Sequence, residues 1–426
     1  MLTRAWLWWA ASYGLPRTVI YRQARRADPL ARFLLESERG NETDGFIEEI
    51  RDQGPLLRRR LLSVTVNHRL STAILRDKRF SAVVPPRDAR SKPVQWLLRQ
   101  TDLGIPNPVE PPAMVRVDPP DHTRYRRLVV KPFNHRAIEK LREQIVAEVE
   151  ELLAGLAASP APDLMENFSA QLPVAIIGAV LGAPKETHPN LLKWGIGGAP
   201  LLDLCPAWKP FRTAVQGLRE GAEYFEEHIN HLRREPGDNV LSHLIANGGL
   251  NQRELLTNTA LLLGAGFETT VNLLGNGIVL LQNHPEQLEL LRAEPERWPG
   301  AIEEILRFDS PVQVTARVAM EDLEVEGHEF GKGAVVMMLL GGANHDPDVF
   351  PDPYRFDVTR PNARDHLSFG NGIHTCLGAN LARLEGQIAL RSLYDRFSEI
   401  KLDSTPVRRG TINLHGWQSL PATLIP

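Results

Sequence analysis

The stretch FGNGIHTCLGANLAR, Phe369 to Arg383, sets three glycines, one histidine and one cysteine in its first ten positions, ahead of an alanine- and leucine-rich run. Gly370, Gly372 and Gly378 permit tight turns and close backbone approach around Cys376. The run after Leu377 is helix-forming, so Cys376 precedes a helix N-terminus, where the dipole and free N–H groups favour thiolate over thiol. Three roles suit such a group. A structural thiol is the ordinary one, but a core thiol does not ask for three flanking glycines. A nucleophile would take His374 as its base. A metal-bound thiolate has neither a second cysteine nor a spaced histidine pair nearby to complete an ordinary zinc site. One thiolate is enough for a haem iron, whose in-plane ligands come from the porphyrin.

A second group lies in LLTNTALLLGAGFETTVNLLGNGIVLLQNH, Leu255 to His284, where Glu268 is the single charged side chain. Spacings of three and four put Ala265, Glu268, Thr269, Asn272 and Asn276 on one helical face. An unpaired buried charge is costly, so Glu268 needs partners, water or a purpose. One reading is a set of polar residues hydrogen-bonded to neighbouring helices. The other is an acid beside a hydroxyl that delivers protons into a cavity. Gly264 and Gly266 sit just before the pair; each costs about 1 kcal/mol against alanine in a helix, which implies a kink or a bulky neighbour.

The elements that must position these groups are mostly helical. The Leu255–His284 run is apolar nearly all round and would make a helix of roughly 45 Å, buried at the centre of a large core. It cannot span a membrane, because the run before Glu268 that is clean of charge and amide, Thr259 to Phe267, falls well short of about 20 residues. Apolar periodicity predicts further helices over His135–Ala158, Thr213–Asp238 and the proline-bounded PEQLELLRAEP. Strand signals cluster late, in Asp322–Leu340, with turns expected at Gly327 and Gly331. No repeat or Gly/Ser linker divides residues 1–426, which read as one large, mostly α domain with a small β subdomain.

Composition narrows the function classes. With 42% hydrophobic residues, 24% charged and a net charge of −3, nothing suggests a polyanion-binding surface, so no nucleic-acid partner is expected. Two cysteines, Cys205 and Cys376, make no disulfide framework and point to a reducing, cytoplasmic compartment. Cys205, in LLDLCPAW, reads as an apolar filler. The apolar Ala5–Leu15 is too short to cross a bilayer. It reads as a helix packed on the body of the protein; the alternative is an interfacial helix placing Trp6, Trp8 and Trp9 at a membrane surface.

Phe369-Gly-x-Gly-x-His374-x-Cys376-x-Gly378 resembles the haem-binding loop of the cytochrome P-450 family, the haem-thiolate monooxygenases. Its companions occur in family order. Ala265-Gly266-Phe267-Glu268-Thr269-Thr270 resembles the oxygen-activation motif on the family's long central helix over the haem. Glu304-Ile305-Leu306-Arg307 resembles the E-x-x-R pair, and FPDPYRFDVTR the segment whose arginine, here Arg355, completes that ion-pair network. DPPDHTRYRR, Asp118 to Arg127, resembles the helix that reaches the haem propionates. The soluble style is that of bacterial members.

The resemblance implies haem b with Cys376 as axial ligand, O2 as co-substrate, and a thiolate that favours O–O cleavage. It assigns His122, Arg126, Arg317 and His374 to the propionates, Phe369 and the Gly378 turn to the surroundings of the sulfur, and Ala265 to the haem face. Thr269 would hold dioxygen and relay protons, with Glu268, where bacterial members often have Asp, connecting to solvent. Glu304, Arg307 and Arg355 would be structural. Leu261, Ala265, Val312, Val314, Thr315 and Trp417 are expected to line a pocket for a lipophilic small molecule, hydroxylated or epoxidised. No flavin or iron–sulfur motif is present, so electrons are expected from a ferredoxin system docking near Arg124, Arg127, Lys131 and Arg136 on a monomeric enzyme. A peroxide-driven peroxygenase, a non-catalytic haem sensor or carrier, and a cysteine hydrolase using Cys376 and His374 are the competing readings.

Overall fold

The apolar run around Glu268 becomes a single helix, Gln252–Asn283, in a computed structural model that describes residues 2–59, 62–83 and 92–426. Its start is fixed by a capping box: the Asn251 side chain accepts from the Glu254 N–H, and the Glu254 carboxylate from the Asn251 N–H. The largest cluster of buried side chains forms around it, drawn from the helices Arg142–Ala158, Gln171–Leu181, Trp298–Phe308 and Ala379–Arg396. The Thr213–Asp238 periodicity is realised as Trp208–Arg234, and the proline-bounded run as Pro285–Ala293. The His135–Ala158 run is two helices, His135–Glu139 and Arg142–Ala158. Between them the Leu141 N–H bonds Ile138 O at 2.9 Å, a tighter turn that redirects the chain.

The β patch is divided between sheets. Strands β1 (Leu57–Arg58), β2 (Ser63–Thr65), β3 (Phe80–Ser81), β4 (Val314–Ala319) and β7 (Val335–Leu339) form one sheet in the order β1-β2-β7-β4-β3. Strands β5 (Leu323–Val325) and β6 (His328–Phe330) form a separate hairpin. Its two-residue turn, Glu326-Gly327, has positive φ at both positions, as the twist of a tight hairpin demands. The turn expected at Gly331 is also present: the Ala334 N–H donates to Gly331 O at 2.9 Å, with the left-handed Gly333 inside the turn that leads into β7. In β4, antiparallel to β7, the period of two puts Thr315 and Arg317 on one face. Strands β8 (Glu399–Leu402) and β9 (Ala422–Ile425) pair antiparallel, and the long connection between them returns to the central helix.

The tryptophan-rich N-terminus packs on the body of the protein. Trp8 stacks on Phe211 with ring centroids 5.6 Å apart, and the Trp9 indole N–H donates to Pro206 O at 2.8 Å. Trp6 alone of the three stays exposed. Among the described residues no helix is long and apolar enough to cross a membrane.

Candidate active site

A cavity of ≈ 1690 Å³ brings together the central helix, the Cys376 loop, strand β4 and the loop before Asp118. From Glu254 to Leu281 the central helix is buried except at Ala260, Gly264, Ala265, Gly266 and Thr269. Ala265, Gly266 and Thr269 face the cavity. The helix continues unbroken through the glycines, so these make room beside it rather than a break. The Thr269 hydroxyl donates to Ala265 O at 2.7 Å.

Glu268, one residue and about 100° away, points elsewhere. It is 1% exposed and ion-paired through Oε1 to the Arg409 guanidinium from the β8–β9 connection, while Oε2 is buried with no hydrogen-bond partner among the described residues. Burial pushes its carboxyl above the ordinary range and the Arg409 charge offsets this only in part. Asn276 donates to Asp309 O and His415 O, and Asn272 abuts Gly416. The face predicted as one is therefore split: Ala265 and Thr269 look into the cavity, while Glu268, Asn272 and Asn276 meet the C-terminal connection.

Opposite Thr269 lies the Cys376 loop. Its geometry depends on left-handed glycines at Gly370 (φ 65°) and Gly372 (φ 73°), and the Cys376 N–H donates to Phe369 O at 2.9 Å. A Cβ on Gly372 would sit 2.2 Å from Leu75 O, a backbone atom that cannot swing aside. Gly372→Ala is expected to cost more than the roughly 1–2 kcal/mol of left-handed strain alone. A lowered thermal midpoint, with less haem retained after purification, checks it. The exposed surface of Cys376 opens onto the cavity. Burial pushes its thiol up, against the Gly378 N–H and the Arg126 and Arg383 charges. Phe369 and Gly378 line the same cavity, and Arg383 lies over the Phe369 ring at 4.5 Å.

Four nitrogen bases gather at one side. Arg126, Arg317 and His374 line the cavity; His122 lies beside His374 with ring centroids 4.2 Å apart. Arg126 donates to Thr375 O and Arg317 to Ala316 O. Nε2 of both His122 and His374 is buried without a partner among the described residues. Burial, reinforced by the Arg317, His122 and Arg126 charges, pushes His374 down to about 3, and burial pushes Arg317 down to about 10. Among the described residues neither arginine forms an ion pair, both imidazole nitrogens are orphaned, and Asp118 acts on Arg317 and His122 only as a partial counter-charge, which suits a site for a dianion. With the Cys376 thiol of the glycine-framed loop on the same cavity, these residues fit a haem held by its propionates and a single sulfur; Cys205 also lines the cavity, but from outside that loop.

The expected pocket residues Leu261, Ala265, Val312, Val314 and Thr315 line the cavity. Trp417 does not: it is 8% exposed, lies against Gly275, and is covered by the Arg408 guanidinium 3.7 Å from its ring centroid. Asn413 and Leu414 take its place. Glu304 and Arg307 form a bidentate pair at 2.7 and 2.8 Å with both side chains fully buried. The further cation on Glu304 is Arg360 at 3.2 Å, not Arg355, which is exposed and contributes its backbone carbonyl to Arg307 and Arg360. The residue five positions on is the one that curls back over the acid.

Of the four cations expected to serve docking, Arg127, Lys131 and Arg136 are exposed. Arg124 is committed inward, hydrogen-bonded to Glu254 at 2.7 Å, and it holds that carboxyl down to about 2. Sequence reading missed Glu303, Arg360, Arg383, Arg408 and Arg409, whose roles depend on contacts between distant segments. The charged flanks of the motifs were the one available signal.

A family model described as cytochrome P450 matches residues 298–409. Cytochrome P450 140 of Mycobacterium tuberculosis is 42% identical over 433 residues, covering 99% of this chain and 98% of its own. The 6-deoxyerythronolide B hydroxylase of Saccharopolyspora erythraea is 39% identical, covering 72% of this chain and 76% of its own. Among solved structures, ligand-free CYP164A2 of Mycobacterium smegmatis superposes with a TM-score of 0.82 at 33% identity, over 92% of this chain and 99% of that one. With relatives so similar over nearly its whole length, the chain belongs to the cytochrome P450 family and is a monooxygenase.

Proposed function

We propose that this monooxygenase inserts one oxygen atom of O2 into a lipophilic small molecule, by hydroxylation or epoxidation, with haem b held through Cys376 and electrons delivered by a ferredoxin system. The observation that carries this reading is the convergence of the Cys376 thiol, the His374, Arg126 and Arg317 cluster and Thr269 on one largely apolar cavity. The hydroxylase named above supports oxygen insertion as the reaction class.

A haem iron with a thiolate ligand supplies dioxygen activation and O–O cleavage. Arg126, Arg317, His122 and His374 would bind and orient the two propionates, neutralising charge that the apolar surroundings could not otherwise accept. The Gly378 N–H donates to the Cys376 sulfur and tempers its basicity. Thr269 Oγ, anchored on Ala265 O, is the proton-bearing hydroxyl that faces the reacting space. Glu268, its carboxyl raised by burial, is turned toward Arg409 and would reload that hydroxyl only by swinging from Arg409 toward the cavity. The route to solvent passes Arg409, which is 23% exposed while Glu268 is 1% exposed. Leu261, Val312, Val314 and Thr315 exclude water from the substrate side. Arg127, Lys131 and Arg136 present an exposed positive edge, next to the helix that follows Cys376, to an acidic ferredoxin.

Thr269→Ala tests the proton path. With a ferredoxin and its reductase, oxygen and reductant consumption should persist while product falls about 10²-fold and hydrogen peroxide accumulates; Thr269→Ser should restore most of the coupling. Full coupling in Thr269→Ala would remove the relay. Faster turnover of the wild type with peroxide than with reductant would instead favour the peroxygenase.

A further inference from the structure

The helix that leaves the Cys376 loop, Ala379–Arg396, has no acidic residue in its first turn and places Arg383 one turn in. A cation near the positive end of a helix dipole is poorly placed unless something holds it there. Glu303, from the helix Trp298–Phe308, holds it: Oε1 accepts from Arg383 Nε at 2.7 Å and Oε2 from Nη2 at 3.1 Å. The Glu303 side chain is 1% exposed. Burial pushes its carboxyl up, but the His366 and Arg383 hydrogen bonds outweigh this and hold it down to about 2, so it is ionised at neutral pH.

That one carboxylate answers two arginines, because the largely exposed Arg364 also approaches Oε1 at 3.4 Å. His366 completes the clamp. Its Nδ1 accepts from the Ser368 N–H at 3.1 Å, so Nε2 is the nitrogen that donates to Glu303 Oε2, also at 3.1 Å. Helical side chains lean toward the helix N-terminus, which carries the Arg383 guanidinium back over the loop. It lies 4.5 Å from the centroid of the Phe369 ring, and the His366 ring lies 5.6 Å from the same ring. Phe369 O accepts the Cys376 N–H at 2.9 Å, so ring, loop and guanidinium are joined. Burial pushes the Cys376 thiol up, and the Gly378 N–H, Arg126 and Arg383 all pull it back. Arg126 belongs to the propionate cluster. Arg383 has no such ligand to hold.

We propose that Arg383, clamped by Glu303 and seated on the Phe369 ring, is a positioning residue that raises the reduction potential of the haem held through Cys376. Reduction adds one electron to the unit that contains the sulfur. A cation held nearby therefore favours the reduced form, and a nearby carboxylate opposes it. The bidentate clamp and the contact with the ring face fix where that charge sits. This assignment rests on the haem-thiolate reading proposed above and adds the residue that tunes it.

The test is a potentiometric titration of the haem-loaded protein without substrate, wild type beside Arg383→Met, Arg383→Lys and Glu303→Gln. The infrared stretch of carbon monoxide on the ferrous protein is recorded with it. Arg383→Met should lower the reduction equilibrium constant about tenfold, about 59 mV for one electron. It should also lower the carbon monoxide stretch, because a sulfur relieved of the cation pushes more electron density to the iron. Arg383→Lys keeps the charge and should lie closer to the wild type than to Arg383→Met. Glu303→Gln removes the counter-charge and should move both readouts the opposite way. A merely structural clamp would weaken the fold in Arg383→Met and Glu303→Gln alike, with no reversal of sign. An unchanged potential in Arg383→Met, or shifts of the same sign in Arg383→Met and Glu303→Gln, overturns the proposal. Should Arg383→Met fail to hold haem, Glu303→Gln decides: a raised potential supports the proposal, and an unchanged or lowered one overturns it. A wild type with no thiolate-type carbon monoxide band would instead defeat the underlying reading of the site.

Discussion

Cys376→Ala is expected to abolish the strongly red-shifted Soret band of the ferrous–carbon monoxide complex and to take monooxygenase turnover to background. Cys376 is the one thiol in the loop, and the two orphaned imidazoles of the cluster, His122 and His374, are those proposed above to meet the propionates. Cys205, the other cysteine, has its thiol pushed up to about 11 by burial and its carbonyl occupied by Arg17. Cys205 lines the same cavity but lies outside the Cys376 loop, and its raised thiol resists forming the thiolate a substitute ligand would need. The substitution leaves the loop's own bonds intact, because the Cys376 N–H to Phe369 O bond and the left-handed Gly370 and Gly372 are backbone features. Far-ultraviolet circular dichroism should accordingly change little while the spectrum changes completely. Where haem stays bound through the arginine and histidine cluster alone, its carbon monoxide band should move to the position of a non-thiolate ligand. An identical red-shifted band in both proteins would exclude Cys376 as the ligand. Absence of haem from the wild type, with covalent trapping of Cys376 by thiol reagents, would return the nucleophile reading to first place.

The parts of this site legible in the sequence are those whose chemistry is local. Cys376 with its glycines and Glu304 with Arg307 each lie within one loop or one helical turn, where spacing alone puts the groups together, whereas the same helical geometry turns the neighbours Glu268 and Thr269 to different sides. The central helix was legible for the same reason, since its periodicity and capping are local signals. The other errors at the site are non-local. Arg355 and Arg360 lie five residues apart, and nothing in their spacing says which one curls back to Glu304. Trp417 looked like a pocket residue, but Arg408 covers it because Arg408 is drawn to Asp309 at 2.7 Å on another segment. Arg409, the partner of Glu268, comes from 141 residues away. The N-terminal helix reached the cavity wall through aromatic contacts with Trp208 and Phe211, which no pattern within residues 5–15 announces.

Arg307→Met should be the most damaging substitution away from the sulfur, costing about 3–5 kcal/mol because it leaves a buried carboxylate without its main partner. The guanidinium uses the fork that only arginine offers. Nε and Nη2 bind both oxygens of Glu304, Nη1 donates to Asn344 O and Pro353 O at 2.9 Å, and Nη2 reaches Arg355 O at 3.4 Å. Glu304 would keep Arg360 and the Asp357 N–H, each on its Oε1 atom, and Oε2 would lose its donor. The damage travels toward the sulfur along a chain of hydrogen bonds. Asn344 loses its carbonyl's donor; its side chain accepts from the Leu367 N–H and donates to Ser368 Oγ, which in turn donates to Leu306 O. Leu367 and Ser368 lead directly into Phe369 and the Cys376 loop. A second tie, Glu303 to Arg383 at 2.7 Å and to His366 at 3.1 Å, should hold the helix after Cys376 in place, so the variant is weakened rather than unfolded. For a chain of this length the cost corresponds to a fall in thermal midpoint of about 3–6 °C. Arg307→Lys should recover little of it, because an ammonium cannot span both carboxylate oxygens and three carbonyls at once. Arg355→Met, which removes only an exposed side chain and leaves its carbonyl, should stay within about 0.5 kcal/mol of the wild type. Thermal melts and haem content of the three variants measured together decide the assignment; equal losses in Arg307→Met and Arg355→Met would restore Arg355 to the network.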